Sequence, residues 1–170
     1  IVHMSKYHAI TVLYGSSGDH MGDDDDMQNF LASNTLPNVR FVKVETNLFI
    51  EFFNQLNRKG ILTYSFYFAY KLWHKKVYEF CKSKIDINEY DLIHYLTPIG
   101  YREPGYLWKF DKPYIWGAIG GAPNVDFRLV SRLDLIGKLK FYTRAILNTI
   151  QLKFSRRLRK ALIHTTVLLT

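Results

Sequence analysis

Apolar residues recur along this 170-residue chain with two periods. Short apolar or β-branched blocks read as strands: residues 9–14 (AITVLY), the alternating segment 39–45, and the runs 92–96 and 114–119. The last two runs stay apolar on both parities, which is the pattern of strands buried on both faces. They are separated by about the length of a crossover, which makes them parallel neighbours in one sheet. Arg40, Lys43 and Glu45 place the 39–45 strand nearer a sheet edge. Longer stretches repeat at three and four. Leu62, Phe66, Ala69, Trp73, Val77 and Phe80 form one stripe of a helix over 61–84. Leu135, Leu139, Tyr142, Ile146, Ile150, Phe154 and Leu158 hold helical spacing from about residue 130 to about residue 160, with Gly137 a point of interruption. Residues 1–7 read as the last turns of a helix, 47–59 as irregular or partly helical, and 105–109 as a helical turn. The tail 162–169 is compatible with one more strand.

Composition narrows this picture. The length suits one domain or a piece of a larger protein. An apolar share of 48% is enough to bury a core, and the 16% of aromatic residues is concentrated between Phe49 and Trp116. Cys81 is the sole cysteine; it excludes an intrachain disulfide, fits a reducing compartment, and on a helix reads as a buried structural thiol. No CxxC or HExxH motif signals a metal. No secretory pattern opens the chain, and the longest apolar-rich stretch, 61–70, is about half the length of a membrane span. A soluble, cytoplasmic protein is the expectation.

The net charge of +8 is unevenly placed. Asp19 and the run Asp23, Asp24, Asp25, Asp26 are acidic. The run reads as the N-terminus of a helix continuing through 27–32, where carboxylates favour the positive helix end. A metal-binding acidic cluster is the sharper alternative, although His20 makes no ligand spacing with it. Segment 128–160 carries ten lysines and arginines against the single acid Asp134. Such an end suits an anionic partner: a membrane surface, a phosphorylated ligand or a nucleic acid. A nucleic acid is disfavoured, because the aromatics lie on core-type stripes and do not interleave with the basic cluster.

Chemistry concentrates where the 92–96 and 114–119 strands end. In open parallel sheets ligands bind beyond the carboxyl ends of the strands. Those ends carry His94, Thr97 and Arg102 on one side, and Gly117, Gly120 and Gly121 on the other. A glycine pair lets backbone approach a ligand closely and turns amides toward an anion, or else it serves a tight turn alone. A neutral His94 can bond a sugar hydroxyl, or be a core histidine satisfied by backbone. Arg102 can grip a phosphate or carboxylate through its planar fork, or be an ordinary surface arginine. His74, beside Trp73 at the stripe's margin, reads as a half-exposed structural histidine.

The blocks DLIHYLT (91–97), YREPGYLWK (101–109) and PYIWGAIGG (113–121) together resemble the N-terminal half of the retaining family-four glycosyltransferases, in sequence and in spacing. The resemblance covers about a fifth of the chain. It implies a Rossmann-like α/β parallel sheet flanked by helices, the acceptor-side half of a GT-B fold lacking its first strand. It also implies one incomplete domain over 1–170, with the nucleotide-sugar domain falling after Thr170. Ala118 stands where proline is common, and Leu96 where many relatives have a second histidine. The implied activity is transfer of a sugar from a nucleotide-sugar to a glycan or lipid-linked acceptor with retention. No cofactor or metal is implied beyond the nucleotide-sugar co-substrate, catalytic residues stay unassigned, and the 170 residues alone are expected to be inactive. The basic segment 130–160 fits an anionic membrane surface on the inner face. A non-catalytic Rossmann-like partner subunit is the rival reading.

Overall fold

The structure, a computed structural model, describes residues 1–15, 24–62, 65–96, 100–121 and 126–170. The chain forms two compact units, Ile1–Ile85 and Asp86–Thr170.

In the first unit the β-branched segment forms β1 (Ile10–Tyr14), which pairs in parallel with β2 (Val39–Lys43); Ile10 lies opposite Val39 and Tyr14 opposite Lys43. Among the described residues β2 pairs with β1 alone, as its charged positions suggested. Helix α1 (Asp24–Ser33) lies between them in sequence, and its first residues are aspartates. Helix α2 (Leu48–Arg58) occupies the segment 47–59, read as irregular or partly helical, and is regular almost throughout it. Asn47 caps it, its side chain accepting from the Ile50 N–H at 2.8 Å, and Glu51 sits in the first turn. Helix α3 (Ser65–Lys84) packs on α2; Ser65 Oγ donates to the Phe53 carbonyl at 2.9 Å, and Phe53 meets Phe68 edge-on with ring centroids 4.8 Å apart. Trp73 Nε1 donates to the Val44 carbonyl at 2.9 Å, tying α3 to the exit of β2. A Cβ on Gly15 would lie 2.6 Å from the Trp73 ring, so only glycine lets the chain leave β1 there.

Two details differ from the pattern. The buried line of α3 is Ala69, His74, Val77 and Cys81, so His74 is buried rather than half-exposed, stacked on Tyr70. Leu62 lies ahead of the helix and is exposed. The helix faces its core with a line rotated from the aromatic stripe, because Trp73 is anchored at the β2 exit by its N–H. At the N-terminus a 3₁₀ turn, Met4–Lys6, stands where the end of a longer helix was expected.

In the second unit β3 (Ile93–Tyr95), β4 (Tyr114–Trp116) and β5 (Thr165–Leu168) form a parallel sheet in that order, with His94 opposite Ile115 and Tyr95 opposite Trp116. The expected parallel pairing and the terminal strand are both present. Burial on both faces is not. Leu92 and Leu96 are exposed, Ile115 is half-buried, and Tyr114 and Trp116 alone on β4 are fully covered. The physical reason is size. Two large aromatics at alternate positions fill one face, which leaves the short strand little else to bury. The connection from β3 to β4 carries a 3₁₀ turn, Leu107–Lys109, within the helical turn expected over 105–109.

The long C-terminal helix expected over 130–160 is three helices: α4 (Phe127–Val130), α5 (Leu135–Phe154) and α6 (Arg156–His164). Capping side chains make the later breaks. Asp134 Oδ1 accepts from the Gly137 N–H at 2.8 Å, and Ser155 Oγ from the Leu158 N–H at 3.3 Å. Gly137 therefore lies in the first turn of α5 and interrupts nothing. From α6 the chain enters β5 directly, and Thr166 Oγ1 accepts from the Tyr114 N–H at 3.1 Å where the register shifts. Tyr95, Tyr101, Trp108, Tyr114, Trp116, Leu158 and Ala161 form the core. The class is α/β and Rossmann-like, with small parallel sheets flanked by helices.

Candidate functional site

Parallel pairing of β3 with β4 brings the two candidate strand ends together. His94 Nε2 lies 3.3 Å from the Gly117 carbonyl. A carbonyl only accepts, so Nε2 carries the proton, and in the neutral ring Nδ1 is the acceptor. The Gly117 N–H donates to the Tyr95 carbonyl at 3.0 Å, which carries the β3–β4 ladder one step beyond the strands. Further out, Gly100 and Gly120 form a parallel bridge, and the Tyr101 N–H donates to the Gly120 carbonyl at 3.4 Å.

The glycines differ in what requires them. Gly117 has φ +144°, and a Cβ there would run into the backbone and side chain of Leu169, just after β5. Neighbouring chain, not a ligand, accounts for that position. Gly121 has φ +78° and nothing within 4 Å of where a Cβ would sit. Its backbone alone calls for glycine, and no described residue fills the space beside it. Thr97 lies outside the described residues, as does His20.

Arg102 turns onto α5. Its Nε donates to Gln151 Oε1 at 3.0 Å, its Nη2 bonds Asn148 Oδ1, and the guanidinium lies 5.0 Å from the Tyr101 ring centroid. Asn148 Oδ1 also accepts from the Tyr101 hydroxyl at 3.0 Å, so one buried amide oxygen holds both residues. Arg102 thus ties the segment after β3 to α5, and its fork is committed to side-chain amides.

A second polar group beside this one had no counterpart in the sequence reading. Arg157 of α6 pairs with the buried Glu103 at 2.6 Å, donates to the Arg102 carbonyl at 3.3 Å, and lies over the Tyr106 ring at 5.2 Å. Burial pulls the Arg157 guanidinium down, but Glu103 and then Tyr106 outweigh it and raise the group above its ordinary value. The aromatics next to the strand ends point their polar atoms at the same loop. Tyr95 OH donates to the Glu103 carbonyl at 2.9 Å, Tyr114 OH to the Pro104 carbonyl at 3.2 Å, and Trp108 Nε1 to the Gly105 carbonyl at 3.1 Å. Burial raises the Tyr114 phenol well above its ordinary value.

Cys81, in the first unit, is buried, and burial pushes its thiol up to about 11. A thiol held protonated is no nucleophile. Among the described residues no group of three or more His, Cys, Asp or Glu side chains is placed to hold a metal ion. Among them, too, no helix is long and apolar enough to cross a membrane. Compared with known proteins, the chain matches no family model, no curated protein sequence and no solved structure.

Proposed function

We propose that this chain is the acceptor-holding part of a glycosyltransferase that moves a sugar from a nucleotide-sugar to a glycan or lipid-linked acceptor with retention. The reading rests on one observation: His94 and the glycines of 117–121 end neighbouring parallel strands, with the imidazole 3.3 Å from the Gly117 carbonyl. Strand ends of parallel sheets are where α/β proteins place ligands. The Gly117 carbonyl sets the tautomer that leaves His94 Nδ1 as an acceptor for a sugar hydroxyl. No described residue lies within 4 Å of where a side chain on Gly121 would start. The three sequence blocks that resemble the glycosyltransferases converge on the same strand ends.

In this reading the acceptor is oriented here, and the nucleotide-sugar is held by a second Rossmann-like half. Positive groups and helix dipoles of that half stabilise the departing diphosphate. Arg102 contributes by fixing the loop after β3, not by gripping the acceptor's charge.

Saturation-transfer NMR with a panel of free hexoses and short oligosaccharides tests the acceptor side. Transfer to at least one sugar is expected, and its loss in His94→Ala. No response from any sugar, or an undiminished response in the folded variant, overturns the assignment. The chain assayed by itself with nucleotide-sugars is expected to show no turnover. The flanking reading frame is expected to encode the second half.

A further inference from the structure

Helix α5 packs through a mixed face and leaves its longest apolar row exposed. Phe141, Ala145, Asn148 and Gln151 lie on the packed side. Leu135, Leu139, Ile146, Ile150 and Phe154 recur at helical spacing on the opposite side; Leu139 is 68% exposed and Ile146 59%. A row of exposed large apolar side chains five turns long marks an interaction surface.

The charges around this row identify its occupant. Lys138, Lys140, Arg144 and Lys153 are the ionisable residues of α5, and none is acidic. By helical position Lys138 and Lys140 border the row on its two edges, Lys153 lies within it at the C-terminal end where its long stem can reach outward, and Arg144 projects beside Asn148 and Gln151. Asp134, the nearest acid, is engaged in capping the helix. Exposed Arg156, Arg159 and Lys160 continue the positive surface along α6. A second copy of the chain would bring the same positive border against this one. An uncharged protein partner would have no use for the border. An anionic bilayer surface satisfies both features: it takes apolar side chains below the headgroups, and long basic side chains reach out to the phosphates. The four charges also explain why a helix of 20 residues, long enough to span a bilayer, does not meet the hydropathy of a spanning segment.

We infer that α5 is a membrane-docking helix that lies in the interface of an anionic bilayer on its Leu135–Leu139–Ile146–Ile150–Phe154 face. The inference does not depend on the glycosyl-transfer reading, because none of these residues belongs to the β3–β4 strand ends. Loss of lipid binding and loss of sugar binding are separate outcomes of separate variants.

The test uses the 170-residue chain with phosphatidylcholine vesicles and with vesicles that also contain phosphatidylglycerol. Co-sedimentation is expected with the second kind only, and is expected to fall steeply with added salt. The double variant Leu139→Asp, Ile146→Asp changes exposed positions, so its circular dichroism should match the parent while its partition coefficient falls at least about tenfold. A polarity-sensitive fluorophore on Ile146→Cys reports the contact directly, since the native Cys81 is buried and escapes labelling. Its emission should shift to the blue only when phosphatidylglycerol vesicles are added. Four results overturn the inference: no binding to anionic vesicles, undiminished binding by the folded double variant, a label that stays in water on the vesicle, or a label already shielded before lipid is added.

Discussion

In the unit Ile1–Ile85 the buried hydrophobic positions are Val44, Ile50, Ala69, Val77 and Cys81. In Asp86–Thr170 they include Tyr95, Tyr101, Trp108, Tyr114 and Trp116. Aliphatic side chains gain by leaving water and ask only for volume and contact. Tyrosine and tryptophan bring a polar atom into the core, and each such atom must be met or costs free energy. That is why four aromatic donors of the second unit are aimed at the 103–105 carbonyls and Asn148; the buried Glu103 is met in turn by the part-buried Arg157. The first unit is held mainly by non-directional burial. The second relies more on directional partners, although the buried Trp116 Nε1 finds none among the described residues, and the candidate strand ends sit in the second.

The contrast is sharpest in a large deletion. Trp116→Ala should lower the unfolding free energy by about 4 kcal/mol in urea melts. A loss near 1 kcal/mol would mean that the aromatic core is not what holds the sheet. Next comes Arg157→Met, which strips the buried Glu103 carboxylate of its guanidinium and should cost about 3 kcal/mol. Adding Glu103→Gln removes the orphaned charge and should recover most of that loss. If the double variant is as unstable as the single one, charge matching is not the cause.

Alkaline pH probes both units. Burial holds the Cys81 thiol and the Tyr114 phenol neutral, raising Cys81 from 9.0 to about 11 and Tyr114 above 10.0. A raised folded-state pKa contributes stability that is complete below the unfolded value and lost as pH climbs through the folded one. Stability should therefore be flat below about pH 9 and drop on the order of 2 kcal/mol through pH 11 on account of Cys81. Cys81→Ala should flatten the profile between about pH 9 and 10 and leave the fall that Tyr114 causes above it. A profile unchanged by the substitution would break the claim. In the aliphatic unit Ile50→Val should cost about 1 kcal/mol. Smallest of all, Leu135→Ser on the open face of α5 should stay within about 0.5 kcal/mol, since that residue contributes nothing to either core.

Much of the local structure was readable from residue order. Runs bounded by Pro and Gly announced β3 and β4, and their parallel pairing alone places His94 beside Gly117. Ser155 was a readable cap that the strong apolar period of 135–158 concealed. Arg102 was not readable: its acceptors lie 46 and 49 residues downstream. Any arginine after a strand looks equally suited to solvent, ligand or protein.

The chain's own order settled where the strands and most of the helical residues lie, that β3 and β4 run parallel, and that Cys81 is a buried thiol. These follow from the period of apolar residues and from local turn and capping chemistry, which act over a few neighbours. The tertiary structure chose which face of α5 turns inward, that His74 is covered, and where Arg102 points. On apolarity alone the Leu135–Phe154 row of α5 would turn inward. Asn148 and Gln151 supply acceptors for Tyr101 and Arg102, so distant hydrogen-bond partners selected the inner face and left the apolar row of α5 facing out.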